Sequence, residues 1–344
     1  MGIWYITREA VKAALDIKET ARSDGQVDRA IEAASRTAEG ILHRRFYPLT
    51  ATKTFDWPQP AGNPSYRLWL HDQELVSLTS ATAGGEALDV AQLLLEPNND
   101  GPPYNRVETN RGGSATFGSG DTNQRALYLT GVWGYRNDEV HEAHLSDDIT
   151  GSTTTVPITA SATIGVGSLL RVGNERMAVT GRSWATTGQT GTLAAQNNAT
   201  LLSVVSSIGF VAGEVLLLDA EKVRITDIAG NNLIVQRAVD GSVLAAHTSA
   251  TIYAQRSLTV QRGALGTTAA AHGSGAAVWT FVFPGDLVRL VMALAEDTIF
   301  QERTGYARTS GSGDSESEAT GKALRQAKAD AVVSLGRRAR TRAV

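Results

Sequence analysis

The sequence contains no cysteine, so the protein can form neither disulfide bonds nor thiolate metal sites. Its apolar runs end well short of the roughly 18 residues that a membrane-spanning helix needs, and its first residues do not show a basic region followed by an apolar one. We therefore expect a soluble protein without a membrane segment or an export signal. Neither sign of charge dominates, because a formal net charge of −3 over 344 residues is close to balance. This balance argues against a general nucleic-acid-binding protein.

No group of residues has the spacing of a catalytic, phosphate-binding or cofactor site, and we predict a protein that is not an enzyme and holds no cofactor or metal. Ser114, Ser119 and Asp121 do not form the Gly-x-Ser-x-Gly pattern of a hydrolase nucleophile. His141 and His144 lie beside acidic residues and could hold a divalent metal. Their segment lacks the apolar surroundings of such a site, so we favour a polar segment without a metal.

Two regions with helical spacing of apolar residues lie far apart, near the two ends of the chain. Thr7 is a candidate N-cap for a short helix, and a longer helix is predicted from about Gln26 to Phe46. Near the other end, the segment from Pro284 to Gly305 has apolar residues over so wide an arc that this helix needs more than one partner. Asp286 is its candidate N-cap residue. We predict that these helices pack together as one platform.

Between the helices, apolar and polar residues alternate with a period of two, which predicts β-strands. The predicted strands follow Leu49 and lie at Tyr66 to Leu70, Leu75 to Ala83, Leu88 to Leu94 and Arg125 to Tyr135, with a hairpin turn at Ala83 to Glu86. The polar residues 136–148 form a seam at which a second region, rich in glycine, threonine and serine, enters the chain.

The second region, at about 151–283, contains two internal repeats. Residues 167–180 match residues 213–226 at an offset of 46. Residues 233–249 match residues 258–274 at an offset of 25. Unequal offsets indicate that one copy of the repeated unit interrupts the other.

We interpret the unequal offsets as nesting: an inner β module at about 198–253 is inserted into a turn of an outer module. Alternating Leu, Val and Ile residues with Gly-rich turns predict that each module is a small antiparallel sandwich or barrel. His247 and His272 occupy the same position in the two modules, which favours a structural role in a turn.

Together these patterns predict an α+β fold. A discontinuous core at 1–150 and 284–308 is expected to form the helical platform with a β-hairpin or small sheet. Two nested antiparallel modules, each sandwich- or barrel-like, occupy 151–283, before the last long helix. Residues 309–344 are expected to supply an acidic linker and a basic C-terminal docking tail.

The basic tail has two possible partners. Its arginines could contact phosphates, or they could pair with carboxylates of another protein. No aromatic residue follows Tyr306, so stacking on nucleic-acid bases is disfavoured and we favour protein docking. The candidate docking residues are Leu324, Leu335, Arg337, Arg338, Arg340 and Arg342.

Four segments stand out in order along the chain: TREAVKAALDI, VDRAIEAASRTAEGILHRRFYPL, ALYLTGVWGYR and PGDLVRLVMALAEDTIFQERTGYAR. In this order they resemble the head-to-tail adaptor (connector) proteins of tailed bacteriophages. The resemblance covers about 1–135 and 284–344. The chain departs from the family pattern because about 150 residues part the GVWGY strand from the last long helix. The inserted modules in turn resemble small β decorations of phage structural proteins, through the segment LTVQRGALGTTAAAH.

The resemblance implies a structural virion protein of the phage neck, assembled in the host cytoplasm. It implies a homo-dodecameric ring between the portal protein and a stopper or tail-completion protein, with double-stranded DNA passing through without sequence-specific contact and with no membrane partner. The C-terminal segment would reach the portal, and helices of neighbouring subunits would pack together. The expected subunit-packing residues are Ile31, Ala34, Ala38, Leu287, Leu290, Val291 and Leu294.

A different class of function stays open from the residues alone. The protein could be a host- or glycan-binding phage structural protein whose β modules are the working part. An exposed aromatic cluster on the modules would favour this alternative. Trp184 and Trp279 are the only tryptophans in the modules, and both are more simply explained as core or rim residues.

Overall fold

The computed structural model describes residues 2–15, 21–58, 65–118, 120–304, 309–310, 317–318 and 321–337. Within these residues the helices are α1 (Arg8–Ala14), α2 (Ala21–Leu42), α3 (Gly285–Thr304) and α4 (Gly321–Leu335). Strands β1 to β8 are Leu49–Phe55, Arg67–Trp69, Leu75–Ala83, Glu86–Leu88, Leu93–Glu96, Arg106–Thr109, Leu127–Trp133 and Glu139–His144. Strands β9 to β17 are Thr155–Pro157, Leu169–Val172, Glu175–Leu193, Leu201–Ser203, Val215–Leu218, Glu221–Ala229, Asn232–Gln236, His247–Gln261 and Ala277–Phe281. Two short strands, β18 (Thr309–Ser310) and β19 (Ser317–Glu318), pair with each other.

The prediction of an α+β fold built on a helical platform is wrong. Strands hold 38% of the residues and helices 22%, so the protein is mostly β. One reason is that residues 43–138 form two sheets where the sequence predicted a hairpin or a small sheet. The other is that the two modules join into one open ten-stranded sheet, where separate sandwiches or barrels were predicted.

The chain divides into two compact units by its internal contacts. The first comprises the described residues of Met1–Leu42, Glu139–Ala264 and Thr268–Val344, and the second comprises those of His43–Asp138 and Leu265–Thr267. All four helices and the ten-stranded sheet therefore belong to the first unit.

The second unit contains a four-stranded antiparallel sheet in the order β1-β7-β3-β4 and a three-stranded sheet in the order β2-β6-β5. The predicted hairpin turn is confirmed: Ala83 pairs with Glu86 across Gly84 and Gly85, both of which have positive φ. Glycine suits such a turn because it has no Cβ to clash there. Trp133 lies buried in the core of this unit and donates its indole N–H to the Ala51 carbonyl oxygen at 2.9 Å.

The GVWGY segment of the second unit requires both of its glycines. A Cβ at Gly131 would overlap the carbonyl oxygen of Ser77 on the neighbouring strand β3. Gly134 has a φ of 144° and lies against the Tyr47 carbonyl oxygen. Both glycines are therefore required by packing in and just after β7, because the backbone of neighbouring segments leaves no room there for a side chain.

The ten-stranded sheet of the first unit is held together by two long strands. Its path is β12-β15-β14-β13-β16-β11-β10-β17-β8, and β9 pairs with β16 off this path. Strands β11 and β16 pair antiparallel along most of their length, with register shifts at four places. Because both strands continue from the outer module into the inner one, the two modules share one sheet.

Two separate hydrophobic clusters lie along this sheet. Met177 of β11 and Leu258 of β16 belong to the outer cluster, which includes Val156, Val172 and Val278. The far ends of the same two strands, with Leu193 and Ile252, belong to the inner cluster, which includes Leu216, Val223 and Leu233. Each module therefore buries its own core, although the sheet is continuous.

The N-terminal helices follow the sequence prediction with one change. Thr7 caps α1, because its hydroxyl accepts a hydrogen bond from Ala10 N at 3.2 Å. Helix α2 begins at Ala21 and ends at Leu42, so the predicted span from Gln26 to Phe46 is shifted. His43 has a φ of 52°, a left-handed conformation that ends the helix before Pro48 is reached.

Helix α3 is covered by helices of its own chain. It packs against α2, α4 and α1 within the first unit. It begins at Gly285, so Asp286 lies in its first turn instead of at the N-cap position. The wide apolar arc of α3 needs several partners, and three helices of the same chain provide them.

Candidate assembly surfaces

The residues that the sequence placed at subunit contacts lie mostly inside the chain. Six of the seven are buried: Ile31, Ala34 and Ala38 on α2 and Leu287, Leu290 and Val291 on α3. Leu294 is half-buried. Since α2 packs against α3, the six buried side chains contact their own chain. A contact between subunits would have to use other surfaces of the bundle.

The polar flank of α2 is also occupied within the chain. Trp4 donates its indole N–H to Glu32 Oε2 at 2.7 Å, and the Tyr5 hydroxyl donates to Glu39 Oε1 at 2.6 Å. Arg8 binds the Asp28 carboxylate through two nitrogens, at 2.7 and 2.5 Å. These side chains fasten the N-terminal segment and α1 onto α2.

Helix α4 packs against α3, and a stripe of small and apolar residues along it is buried, including Leu335, which the sequence assigned to docking. Ala327, Ala331 and Leu335 are buried, and Leu324 is half-buried. The Arg289 guanidinium lies 3.1 Å from the Asp330 carboxylate and bridges the two helices.

The end of the described chain is also fastened to the bundle. Arg337 N donates to the carbonyl oxygen of Leu42 at 3.1 Å, at the end of α2. Arg338, Arg340 and Arg342, which the sequence assigned to docking, lie outside the described residues.

The outward face of α4 carries an apolar pair that the sequence analysis did not single out. Val333 is 85% exposed and Val332 is 43% exposed. Exposed valines on a helix next to a basic tail are candidates for contact with a partner. The exposure of Val333 could have been predicted from the sequence, because it lies two residues after Ala331 of the buried stripe. Two residues correspond to a rotation of about 200° around an α-helix, so Val333 lies on the opposite face.

His272 of the outer module lies in a network around a buried carboxylate. Glu175 accepts from Arg262 Nε and Nη2, both at 2.7 Å, and from His272 Nε2 at 2.9 Å. Backbone N–H groups of Gly263 and Ala270 also donate to it. Burial alone would raise the pKa of Glu175, but the hydrogen bonds from Arg262, the two N–H groups and His272 outweigh burial and lower it to about 2.

The inner module repeats this network. Glu221 accepts from Arg237 Nε at 2.7 Å and Nη2 at 2.8 Å, from His247 Nε2 at 2.9 Å, and from two backbone N–H groups. Hydrogen bonds from Arg237, Ala245 N and His247 again outweigh burial and lower the pKa of Glu221 to about 2. The two histidines thus hold closing turns of their modules to buried carboxylates, and we assign this network a structural role.

A third group of side chains lies on one face of the sheet at its β8 edge. The imidazoles of His141 and His144 are 4.5 Å apart between centroids, and His141 is 5.4 Å from the Trp279 ring. The Arg171 guanidinium lies 5.4 Å from the same indole and pairs with Glu139 at 2.5 Å. The sequence predicted a polar seam at residues 136–148, whereas in the structure Glu139–His144 form a strand whose histidines contact each other and Trp279.

A cleft of about 510 Å³ lies within the first unit, lined by α1 and by residues of both modules. Its charged walls are paired: Arg182 lies 3.8 Å from Glu9, and Arg224 lies 3.9 Å from Asp240. Burial raises the pKa of Glu9, and Arg182 partly opposes this effect. Because these charges neutralise one another, the cleft does not favour a ligand of either sign.

Among the described helices, none is both long enough and apolar enough to cross a membrane. No protein-family model, curated protein or solved structure matches the chain. The likeness to phage adaptor proteins therefore depends on the four sequence segments alone.

Proposed function

We propose that the protein is a structural component of the neck of a tailed-bacteriophage virion. In this role, copies form a ring, as a dodecamer in the family that the sequence resembles, between the portal protein and a stopper or tail-completion protein. Double-stranded DNA passes through the ring without sequence-specific contact. The near-balanced charge of the chain suits a conduit that does not hold its cargo.

The observation that carries the proposal is the packing of α3 on α2 and α4. Helices α2 and α3 come from segments that resemble adaptor proteins, and about 240 residues of other structure separate them in the sequence. They nevertheless pack against each other, and both have buried apolar residues. This arrangement supports an adaptor-like body into which the β modules have been inserted.

The surface proposed for the portal is the outward face of α4 with the tail that follows it. Val332 and Val333 supply exposed apolar area, while the buried stripe of α4 holds the helix in place. A small apolar patch beside arginines is the composition of a protein contact in which a few central side chains carry most of the affinity.

The proposed docking is tested by substituting Val333→Glu. Ala323→Glu is the control, because Ala323 is also exposed on α4 but lies ten residues, or about 15 Å along the helix, from Val333. Both variants should fold, as judged by circular dichroism. In pull-down and native mass spectrometry with the portal protein of the same phage, we expect the Val333 variant to bind at least about tenfold more weakly and the Ala323 variant to bind normally. A chain that stays monomeric and ignores the portal in every form would contradict the neck assignment.

A further inference from the structure

A β-bulge brings two histidines onto one face at the β8 edge of the sheet. Val278 of β17 pairs with Ala143, and the next residue, Trp279, pairs with His141, so Glu142 is the extra residue of the bulge. In a regular strand, residues three apart point to opposite faces. The extra residue places His141 on the same face as His144, and both side chains are exposed.

Hydrogen bonds hold both the backbone and the ring of His144 in place. Its backbone N donates to Thr159 Oγ1 at 3.0 Å, and its carbonyl oxygen accepts from Thr159 N at 2.9 Å. Ring atom Nδ1 lies 3.1 Å from the carbonyl oxygen of Gly275. A carbonyl oxygen only accepts hydrogen bonds, so Nδ1 carries a proton, and in the neutral ring Nε2 has a free lone pair. Metal-ligating histidines commonly donate their other ring nitrogen to a backbone carbonyl in this way.

We propose that His141 and His144 bind one divalent transition-metal ion of the Zn²⁺, Ni²⁺ or Cu²⁺ class. Imidazole nitrogens suit these ions. In the described ranges no group of three or more His, Cys, Asp or Glu residues is placed to share a metal. The ion therefore has two protein ligands, and water fills its other positions.

The neighbouring charges permit a cation at this position. Arg171 is the positive group beside Trp279, and it pairs with Glu139 at 2.5 Å. Arg176 interacts with the same carboxylate from the next strand, one strand further from the histidines. The sequence disfavoured a metal because this polar segment lacks the apolar surroundings of such a site. Pairing with β17 supplies apolar contacts, because it brings the Trp279 ring to 5.4 Å from His141 and buries Ala143, which lies between the two histidines in the chain.

The site is tested on the full-length chain without an affinity tag, by titrating CuCl₂, NiCl₂ and ZnCl₂ in a non-chelating buffer with calorimetric detection. We expect one ion per chain, with Cu²⁺ bound more tightly than Ni²⁺ or Zn²⁺. His141→Gln and His144→Gln should each abolish the saturable binding. His71→Gln, at an exposed histidine of the second unit, is the matched control and should bind as the unsubstituted chain does.

A second readout locates the ion independently. The Trp279 ring is 5.4 Å from His141, so bound Cu²⁺ should quench its fluorescence. Trp279→Phe should remove the part of the quenching that saturates with one ion, while leaving the binding isotherm unchanged. Binding that survives both histidine substitutions, or an unsubstituted chain that binds no ion, would overturn the assignment. Neither result bears on the proposed neck role, which involves other surfaces.

Discussion

Glu175 and Glu221 are carboxylates almost completely removed from water, and each is surrounded by donors. A buried carboxylate is stable only when its lone pairs are satisfied, because burial without hydrogen bonds favours the neutral form. In both modules an arginine supplies a two-pronged contact, backbone N–H groups from two turns add two more, and a histidine completes the set. Each carboxylate thereby connects its own strand to two turns, which would otherwise lack this connection to the strand.

Removal of one carboxylate charge should destabilise its module. Glu221→Gln keeps the shape of the side chain but leaves Arg237 buried without its counter-charge. Breaking a buried pair in this way costs about 3–5 kcal/mol. Glu86→Gln, at an exposed position in the β3–β4 hairpin, is the control and should have almost no effect. Chemical denaturation measures the free energy of unfolding of both variants. A loss of stability under about 1 kcal/mol for Glu221→Gln would contradict the structural role of the carboxylate.

The same two carboxylates predict how stability depends on acidity. The pKa of each falls from 4.5 to about 2 on folding. A lowered pKa stabilises the folded state fully above the unfolded value, and that contribution is lost as the pH falls through the folded value. We therefore expect the free energy of unfolding to decline as the pH is lowered from about 4.5 towards 2. The free energy of unfolding of the Glu221→Gln variant should decline less steeply in this range, because one of the two carboxylates is missing.

Gly131 and Gly40 should respond oppositely to a Cβ. At Gly131 the added atom would overlap the Ser77 carbonyl oxygen, so Gly131→Ala should destabilise the second unit by about 1–3 kcal/mol. Gly40 is exposed on α2 and has open space around it, so Gly40→Ala should stabilise the helix by about 0.5–1 kcal/mol. Hydrogen exchange of β7 and α2 amides measures the two effects separately. Equal effects at both sites would refute the packing explanation of the GVWGY motif.

The network residues show how far sequence alone could reach. The repeat aligned His247 with His272 and suggested a structural role, and the same offsets of 46 and 25 align Glu221 with Glu175 and Arg237 with Arg262. The alignment therefore contained every member of both networks. It could not show that one carboxylate accepts from all the others, because these residues lie on separate strands and turns whose closeness arises only on folding.

At the scale of elements, secondary structure was predicted well where apolar residues recur regularly and poorly where a bulge interrupts the pattern. The bounds of β3 match the alternating segment Leu75 to Ala83, and Thr7 caps α1 as its position indicated. Strand β8 was missed, since its bulge interrupts the alternation on which strand prediction depends. Helix α3 was placed correctly within a residue, but periodicity could not show which chain covers its apolar arc.

Two leucines of α3 test how the bundle is held together. Leu290 is completely buried, whereas Leu294, one turn later, is half-buried. We expect Leu290→Ala to destabilise the first unit by about 2–5 kcal/mol, and Leu294→Ala to cost clearly less. Thermal unfolding of both variants gives the comparison. If Leu294 proved the costlier site in the isolated chain, the assignment of the α2–α3 contact to this face of α3 would have to be abandoned.

At the scale of the molecule, the nested arrangement has a physical consequence. The inner module was inferred from unequal repeat offsets, but the sequence could not show that its strands continue those of the outer module. The structure joins them because β11 and β16 run through both, while the two hydrophobic clusters stay separate. A shared sheet with separate cores allows one core to be removed without opening the other.

This separation predicts that the inner module can be deleted. Thr186 of β11 and Tyr253 of β16 are directly paired, so replacing residues 187–252 by an Asn-Gly turn closes the ribbon as a two-residue hairpin. The outer cluster and the helical bundle lose none of their members, since Met177, Val179, Leu258 and Val260 lie on the retained side. We expect a soluble chain whose bundle keeps its hydrogen-exchange protection. A control deletion of residues 169–179, which removes β10 and four of the thirteen buried residues of the outer cluster, should instead unfold the first unit, because the retained strands pack against those residues. If both deletions unfold the chain alike, the two modules are one cooperative body and the insertion is not an independent attachment.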